Sequence, residues 1–343
     1  MMYIACCVHL VYWFLPYTSA ATSLILVEMP VIFFVSGASA RLSRPKRFWE
    51  TLSNRCQRVL LPYYVYAALS LLIIYLWDLA PSSFSLRDFL KILLAREIPG
   101  LPYAMHLWFI APYLIIAVSF HFQRRLAEKW GLAYLLLAAA MMVCTDLAYH
   151  LTGFSRYEGI VSVWQIICMT SLYIFCYNVF FVAGFVCYRR VSTRTTVIIL
   201  TASALLLVIL SKGRLPDFQL EKFPPSTLFM LYGIVSLSAL SLIAGNFRLP
   251  FPRIVDFWNR HIFTIYLYHN YGMWLFVSLI GTAILTKWPL WVVVVVGIVS
   301  LFIINTALIF FISKAANVIG FVKSKAVRSL SGLMRRGNKE MPG

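Results

Sequence analysis

Apolar runs of about 20 residues recur from one end of this 343-residue chain to the other. A helix needs about 20 such residues to cross the ~30 Å hydrocarbon core of a bilayer. Lipid cannot satisfy backbone hydrogen-bonding groups, so only helices and closed barrels span membranes. The run at 291–312 is continuously apolar rather than alternating, which favours helices. The sequence therefore predicts an all-α integral membrane protein.

The apolar runs predict a bundle of about ten transmembrane helices with both termini in the cytoplasm. The predicted spans are 1–15, 24–40, 59–78, 106–122, 131–150, 161–187, 196–211, 226–244, 260–281 and 290–312. We expect 1–312 to form one transmembrane domain, followed by a basic cytoplasmic tail at 313–343. The first run has neither a basic flank nor a small-residue cleavage site, so no cleavable signal peptide is predicted.

The distribution of basic residues supports this topology. The chain has 30 Lys and Arg against 12 Asp and Glu. With the N-terminus in the cytoplasm, 22 of the 30 basic residues fall in cytoplasmic segments and 8 in outer ones, as the positive-inside rule requires. The net charge of +18 is therefore explained without a nucleic-acid partner, and we expect the basic tail to lie along anionic membrane lipids.

The sequence contains no motif of a soluble catalytic class. The seven cysteines show no CxxC metal spacing, and we interpret them as small core residues. HExxH, Walker and GxSxG motifs are also missing from the sequence, which disfavours a hydrolase or an ATP-driven pump. We expect no bound metal or cofactor.

His9 is a titratable side chain in the middle of the first apolar run. Ionisable groups inside membrane helices are costly and usually functional. The alternative is a structural histidine whose hydrogen bond is satisfied inside the bundle.

Arg55 and Arg58 precede Pro62, Tyr63 and Tyr64 at the predicted cytoplasmic entry of the third span. Residues three apart share one face of an α-helix, and paired guanidinium groups suit phosphate oxygens. An ordinary positive-inside anchor is the alternative.

The second predicted span contains Glu28 near its outer end and Ser36 and Gly37 near its cytoplasmic end. Small residues allow helices to pack closely, although they could instead line a passage for a thin ligand. Glu28 is a candidate on the substrate side, or an interfacial residue without a role.

Two further histidines are candidates on the substrate side. His106 opens the fourth span next to Trp108, and His269 lies within the ninth. A histidine beside a tryptophan at the interface is commonly a membrane anchor.

Six motifs in order give the chain a resemblance to the acyltransferase-3 family of membrane acyltransferases. They are the apolar run around His9, FFVSG at 33–37, RxxRxxxPYY at 55–64, HLWFI at 106–110, KFPPSTLFMLYG at 222–233 and YLYH at 266–269. The resemblance implies transfer of an acyl group, often acetyl or succinyl, from cytoplasmic acyl-CoA to a hydroxyl of a glycan or lipid-linked sugar. A bacterial inner membrane is the expected location.

The resemblance also implies roles for the candidate residues. His9 would remove the proton from the acceptor hydroxyl, Arg55 and Arg58 would hold the CoA phosphates, and the pantetheine arm would pass Ser36 and Gly37. The family's first helix carries an Arg about ten residues before its catalytic His, and counting back from His9 runs beyond residue 1. A glycolipid transporter or flippase and a non-catalytic family member are the alternative functions.

Overall fold

The structure is a computed structural model that describes residues 20–77, 85–94, 98–101, 104–151, 163–246, 251–280, 287, 289, 291–293, 295–312 and 314. The predicted first span and nearly all of the basic tail lie outside the described residues. Within these ranges the chain forms helices and no β-strand. The helices are α1 (Ala20–Leu24), α2 (Glu28–Leu42), α3 (Phe48–Arg55), α4 (Leu61–Leu76), α5 (Leu86–Leu93), α6 (Ile110–Trp130), α7 (Leu132–Leu151), α8 (Val163–Cys187), α9 (Thr193–Leu210), α10 (Thr227–Asn246), α11 (Pro252–Arg260) and α12 (Ile262–Ile280), with a last helix α13 (Trp291–Ile312).

The described helices are those of a multi-pass membrane protein. Seven candidate spans are long and apolar enough to cross a bilayer, and each overlaps a predicted span: Thr22–Leu42, Phe48–Leu76, Leu132–Leu151, Ile167–Cys187, Thr193–Leu210, Thr227–Ala244 and Trp291–Ile312. Helices α6 and α12 occupy two more of the predicted positions. The total of ten spans and the cytoplasmic location of the termini stay predictions.

Helices α2 and α8 pack backbone to backbone at the centre of the bundle. A Cβ atom added at Gly37 would lie 1.8 Å from the carbonyl oxygen of Phe181, and one added at Gly184 would lie 1.9 Å from that of Phe34. Only glycine permits so close an approach at these two positions. This contact fixes α2, and with it the candidate residues that α2 carries.

Helices α3 and α4 form one continuous helix, because a π-helical turn at Cys56–Leu60 joins them. At its start the Phe48 ring lies 5.6 Å from His121 and 5.2 Å from Phe122, near the predicted cytoplasmic end of α6. Arg55 follows seven residues later, about 10 Å further along the axis. The structure therefore places Arg55 deeper in the bundle than a surface anchor would lie.

The stretch 79–105, predicted as an outer loop, contains the amphipathic helix α5. A capping box begins α5: the Ser85 hydroxyl accepts from the Asp88 amide at 3.2 Å, and the Asp88 carboxylate accepts from the Ser85 amide at 3.1 Å. The Ser85 hydroxyl also donates to the Asp88 carboxylate at 2.6 Å. This bond, the amide bond and Lys91 nearby lower the pKa of Asp88. Such a box satisfies two backbone donors at the helix start.

The far end of α5 returns to the beginning of α4. The Tyr63 hydroxyl donates to the carbonyl oxygen of Ile92 at 2.7 Å, and the Tyr64 hydroxyl to that of Leu93 at 2.8 Å. Tyr63 and Leu76 are 13 residues apart, about 20 Å along a helix. The chain after α4 therefore folds back along this helix instead of remaining at its outer end.

Candidate functional site

A buried ion pair joins the start of α2 to the loop before α10. The Lys222 ammonium donates to the Glu28 carboxylate at 3.0 Å, and their side chains are only 8% and 5% exposed. A buried charge is tolerated when it is paired. Glu28 thus has a defined partner, which we expect of an ionisable residue within a membrane bundle.

The loop that carries Lys222 is held against the helices on either side. Asp217 accepts from the Ser23 hydroxyl at 3.3 Å, and that hydroxyl accepts from the Phe218 amide at 3.1 Å. Asp146 of α7 accepts from the Thr227 amide at 2.8 Å, which satisfies a backbone donor at the start of α10. These bonds fix the loop on both sides of the lysine.

An aromatic column runs inward from the ion pair; it consists of Trp108, Tyr177, Phe33 and Tyr113. The Lys222 ammonium lies 5.7 Å from the centre of the Trp108 ring, within cation–π distance. Trp108 lies 5.7 Å from Tyr177, Tyr177 stacks on Phe33 at 4.7 Å, and Phe33 lies 5.9 Å from Tyr113. The column connects α2, α6 and α8 with the short 3₁₀ helix Ala104–Phe109.

The Tyr177 hydroxyl is a buried donor in the middle of this column. Its side chain is fully buried, and no hydrogen-bond partner for its hydroxyl exists among the residues that the structure describes. Leaving a buried hydroxyl unpaired costs about 1–3 kcal/mol. An unpaired buried hydroxyl within the column makes Tyr177 a candidate for contact with a ligand.

Arg55 lies at the other end of the column. Its guanidinium donates to the Tyr113 hydroxyl at 3.0 Å, and its side chain is half-buried. Arg58, by contrast, is exposed. The expected shared face assumed an α-helix, but the π-helical turn at Cys56–Leu60 changes the angular spacing of these residues.

His269 is buried in α12 and is linked to the column through two other rings, Tyr266 and Phe109; the Phe109 ring lies 6.2 Å from that of Tyr113. Its Nδ1 lies 2.7 Å from the carbonyl oxygen of Tyr266, so Nδ1 is the donor of this hydrogen bond. The Tyr266 ring contacts Phe109 at 4.3 Å. Next to His269, Asn270 accepts from the Tyr66 hydroxyl of α4 at 3.0 Å, which ties α12 to α4.

The other predicted residues have different surroundings. Gly37 lies in the α2–α8 contact, which supports the packing interpretation over a ligand passage, and the Ser36 hydroxyl donates to the carbonyl oxygen of Ile32 at 2.8 Å. His106 lies in the 3₁₀ helix Ala104–Phe109. His9 lies outside the described residues, so its catalytic role stays a prediction.

The described part of the chain contains no group of three or more His, Cys, Asp or Glu side chains placed to hold a metal ion. The chemistry available there comes from a guanidinium, a phenol, an imidazole and a buried ammonium–carboxylate pair. These groups bind anions and polarise or orient oxygen atoms.

Comparison with models of protein families identifies the family of the chain. A family model described as an acyltransferase domain matches residues 1–310. The chain belongs to the acyltransferase-3 family. Membership supports a membrane acyltransferase, and it confirms the resemblance that the six motifs indicated. No curated protein and no solved structure matches the chain.

Two features of this acyltransferase-3 site were missed at the level of the sequence. Lys222 was counted among the eight outer basic residues and begins the motif KFPPSTLFMLYG at 222–233. No role was predicted for it, although a carboxylate inside a span already demanded a cation nearby. Tyr177 was missed because one tyrosine in an apolar helix is indistinguishable from a core residue. Only the absence of a partner for its hydroxyl singles it out.

Proposed function

We propose that this acyltransferase-3 protein transfers an acyl group, acetyl or succinyl, from cytoplasmic acyl-CoA to a hydroxyl of a surface glycan or glycolipid. No bound cofactor is required, since acyl-CoA is a co-substrate. The observation that carries the proposal is Arg55, a half-buried guanidinium beside Tyr113 at one end of the aromatic column. An arginine inside a membrane bundle marks a functional site by default.

Arg55 is the anchor for the donor in this proposal. A guanidinium binds phosphate oxygens through charge-assisted hydrogen bonds. CoA carries a diphosphate and a further phosphate, and it is on the cytoplasmic side, where the predicted topology places the start of the α3–α4 helix. From Arg55 the column leads to Tyr177, so the thioester can extend towards the buried phenol.

The acceptor approaches from the end that contains Glu28 and Lys222. A carboxylate accepts hydrogen bonds from sugar hydroxyls, and an ammonium donates to their oxygens. His9 then acts as general base, an expectation that comes from the family motif. It removes the hydroxyl proton as the oxygen attacks the thioester carbon, a contribution of about 10²–10⁴-fold. The carbon–sulfur bond breaks, and CoA leaves with that proton on its sulfur.

Tyr177 supplies the hydrogen bond to the carbonyl oxygen of the thioester, which gains negative charge during the attack. Its hydroxyl keeps its proton and donates to that oxygen. Donors that are already in place are worth about 10²–10³-fold in kcat each. This role explains why a phenol without a described partner is kept in the column.

The test compares Arg55→Gln with Arg58→Gln in proteoliposomes. Both variants lose one positive charge, three residues apart on the same helix, but only Arg55 faces the column. A charge-assisted contact is worth roughly 1.5–3 kcal/mol, so Arg55→Gln should raise the KM for acyl-CoA about 10- to 150-fold. Arg55→Lys should recover part of this loss, because lysine cannot form the planar fork. An unchanged donor KM in correctly inserted Arg55→Gln would refute the assignment.

A further inference from the structure

A groove lies between the amphipathic helix α11 and the last helix α13, away from the aromatic column. Its volume is about 600 Å³, within the usual range for ligand sites, ~300–1,000 Å³. The lining is almost entirely apolar, with Arg253 at one end; the apolar side chains include Ile254, Phe257, Phe302 and Phe310. None of the candidate catalytic residues lines this groove.

The two helices that form the groove are fixed to each other. The Trp258 indole NH donates to the Thr306 hydroxyl at 2.9 Å, and the Trp258 ring stacks on Phe302 at 4.8 Å. Trp258 is fully buried. The groove is therefore a built feature of the fold and not a gap between loosely packed helices.

Two cations flank the apolar lining. Arg253 is exposed at the start of α11. Lys314 follows α13, and its ammonium lies 5.5 Å from the centre of the Phe310 ring, which lines the groove. Asp256, the acidic residue of α11, is exposed. Both cations belong to segments that the topology places on the cytoplasmic side.

We propose that this groove binds an acidic glycerophospholipid, with an acyl chain along the apolar lining and the phosphate between Arg253 and Lys314. An apolar channel that ends in cations is complementary to a molecule with a long chain and an anionic head. Basic pockets between helices on the cytoplasmic side are typical sites for such headgroups. The inference rests on the fold and the topology and is independent of the proposed reaction.

A second copy of the chain fits the groove less well than a lipid. An isologous dimer places the same patch of both copies face to face. Such an interface on this groove would bring Arg253 and Lys314 of both copies together, and like charges in proximity are unfavourable.

The test measures thermal unfolding of the purified protein in detergent as phosphatidylglycerol or phosphatidylcholine with identical acyl chains is added. The wild type should be stabilised at lower concentrations of phosphatidylglycerol than of phosphatidylcholine. Arg253→Gln and Lys314→Gln should each weaken the apparent affinity for phosphatidylglycerol about fivefold, without changing the response to phosphatidylcholine. Arg260→Gln is the matched control, because it removes the same charge from the same helix outside the groove.

A variant that fills the groove distinguishes this site from general lipid solvation. Ala307→Phe should reduce the response to both lipids, and native mass spectrometry should show less bound lipid than in the wild type. Equal responses of the wild type to the two lipids, or equal losses in Arg253→Gln and Arg260→Gln, would overturn the proposal. A dimer that Arg253→Gln stabilises and added lipid dissociates would also overturn it, since the occupant would then be a second copy.

Discussion

At the scale of single residues, two ion pairs with the same N···O distance differ strongly in burial. Lys222 and Glu28 are 3.0 Å apart and almost completely buried, whereas Lys46 and Glu50 are also 3.0 Å apart but about half exposed. Exposed pairs contribute about 0–1 kcal/mol. Removing one member of a buried pair costs about 3–5 kcal/mol, because the other charge remains in the interior.

Lys222→Met should therefore lower the melting temperature strongly, and Lys46→Met should hardly change it. Thermal unfolding in detergent measures both. The double variant Lys222→Met with Glu28→Gln should recover much of the lost stability, since no charge then remains without its partner. If the double variant is no more stable than Lys222→Met alone, the pair does not behave as a coupled unit.

Tyr177→Phe separates a catalytic phenol from a structural one. Removing a hydroxyl without a described partner should leave the melting temperature unchanged or raise it. Activity should nevertheless fall about 10²-fold in kcat, with the KM for acyl-CoA unchanged.

Tyr232→Phe is the control for a phenol with a structural bond, because its hydroxyl donates to the carbonyl oxygen of Leu24 at 2.8 Å. This variant should lose stability, about 1 kcal/mol. If Tyr177→Phe keeps the wild-type kcat, the Tyr177 phenol has no part in the mechanism.

The sequence could identify some of these residues but could not pair them. Glu28 was a candidate because it is ionisable and lies within a predicted span, and Arg55 because it is paired with Arg58 three residues later. Their partners, Lys222 and Tyr113, lie 194 and 58 residues away along the chain. Such contacts depend on how the helices pack, and apolar periodicity in a membrane span carries little information about that.

At the scale of helices, apolar length predicted the seven candidate spans among the described residues, but local departures from the α-helix were not predictable. The π-helical turn at Cys56–Leu60 directly follows Arg55 and contains Arg58, and nothing in CQRVL distinguishes it from α-helix. The contact between the end of α5 and Tyr63 could likewise not be predicted from the sequence. The stretch 79–105 was expected to be an outer loop because it lies between two predicted spans, whereas the decisive bonds come from tyrosines of another helix.

The α2–α8 contact gives a prediction at this scale. Gly37→Ala should destabilise the protein by about 1–3 kcal/mol, because the new methyl group meets the Phe181 carbonyl and the helices must separate. The neighbouring Ser36→Ala is the control, since it adds no atom. Thermal unfolding measures the melting temperatures of both variants. If Gly37→Ala and Ser36→Ala have the same melting temperature, the helices are not in backbone contact at Gly37.

At the scale of the whole molecule, the distribution of basic residues predicts an orientation that the fold alone does not give. A cysteine at Lys46 and one at Arg214 should be modified from opposite sides of the membrane, the first from the cytoplasm and the second from outside. The experiment uses a background without the seven native cysteines and a maleimide that cannot cross the membrane. If the cysteine at position 46 is modified in intact cells, the predicted topology is reversed, and the donor enters from the opposite side.

The most direct measurement of the central claim follows a radiolabelled acyl group from acyl-CoA in proteoliposomes that contain a glycolipid fraction. The wild type should move the label from the thioester into an alkali-labile ester on the glycolipid and release one free CoA thiol for each ester formed. His9→Ala should reduce this transfer at least ~10²-fold with an unchanged melting temperature. Transport of the glycolipid without consumption of the thioester, or undiminished transfer by His9→Ala, would contradict the account.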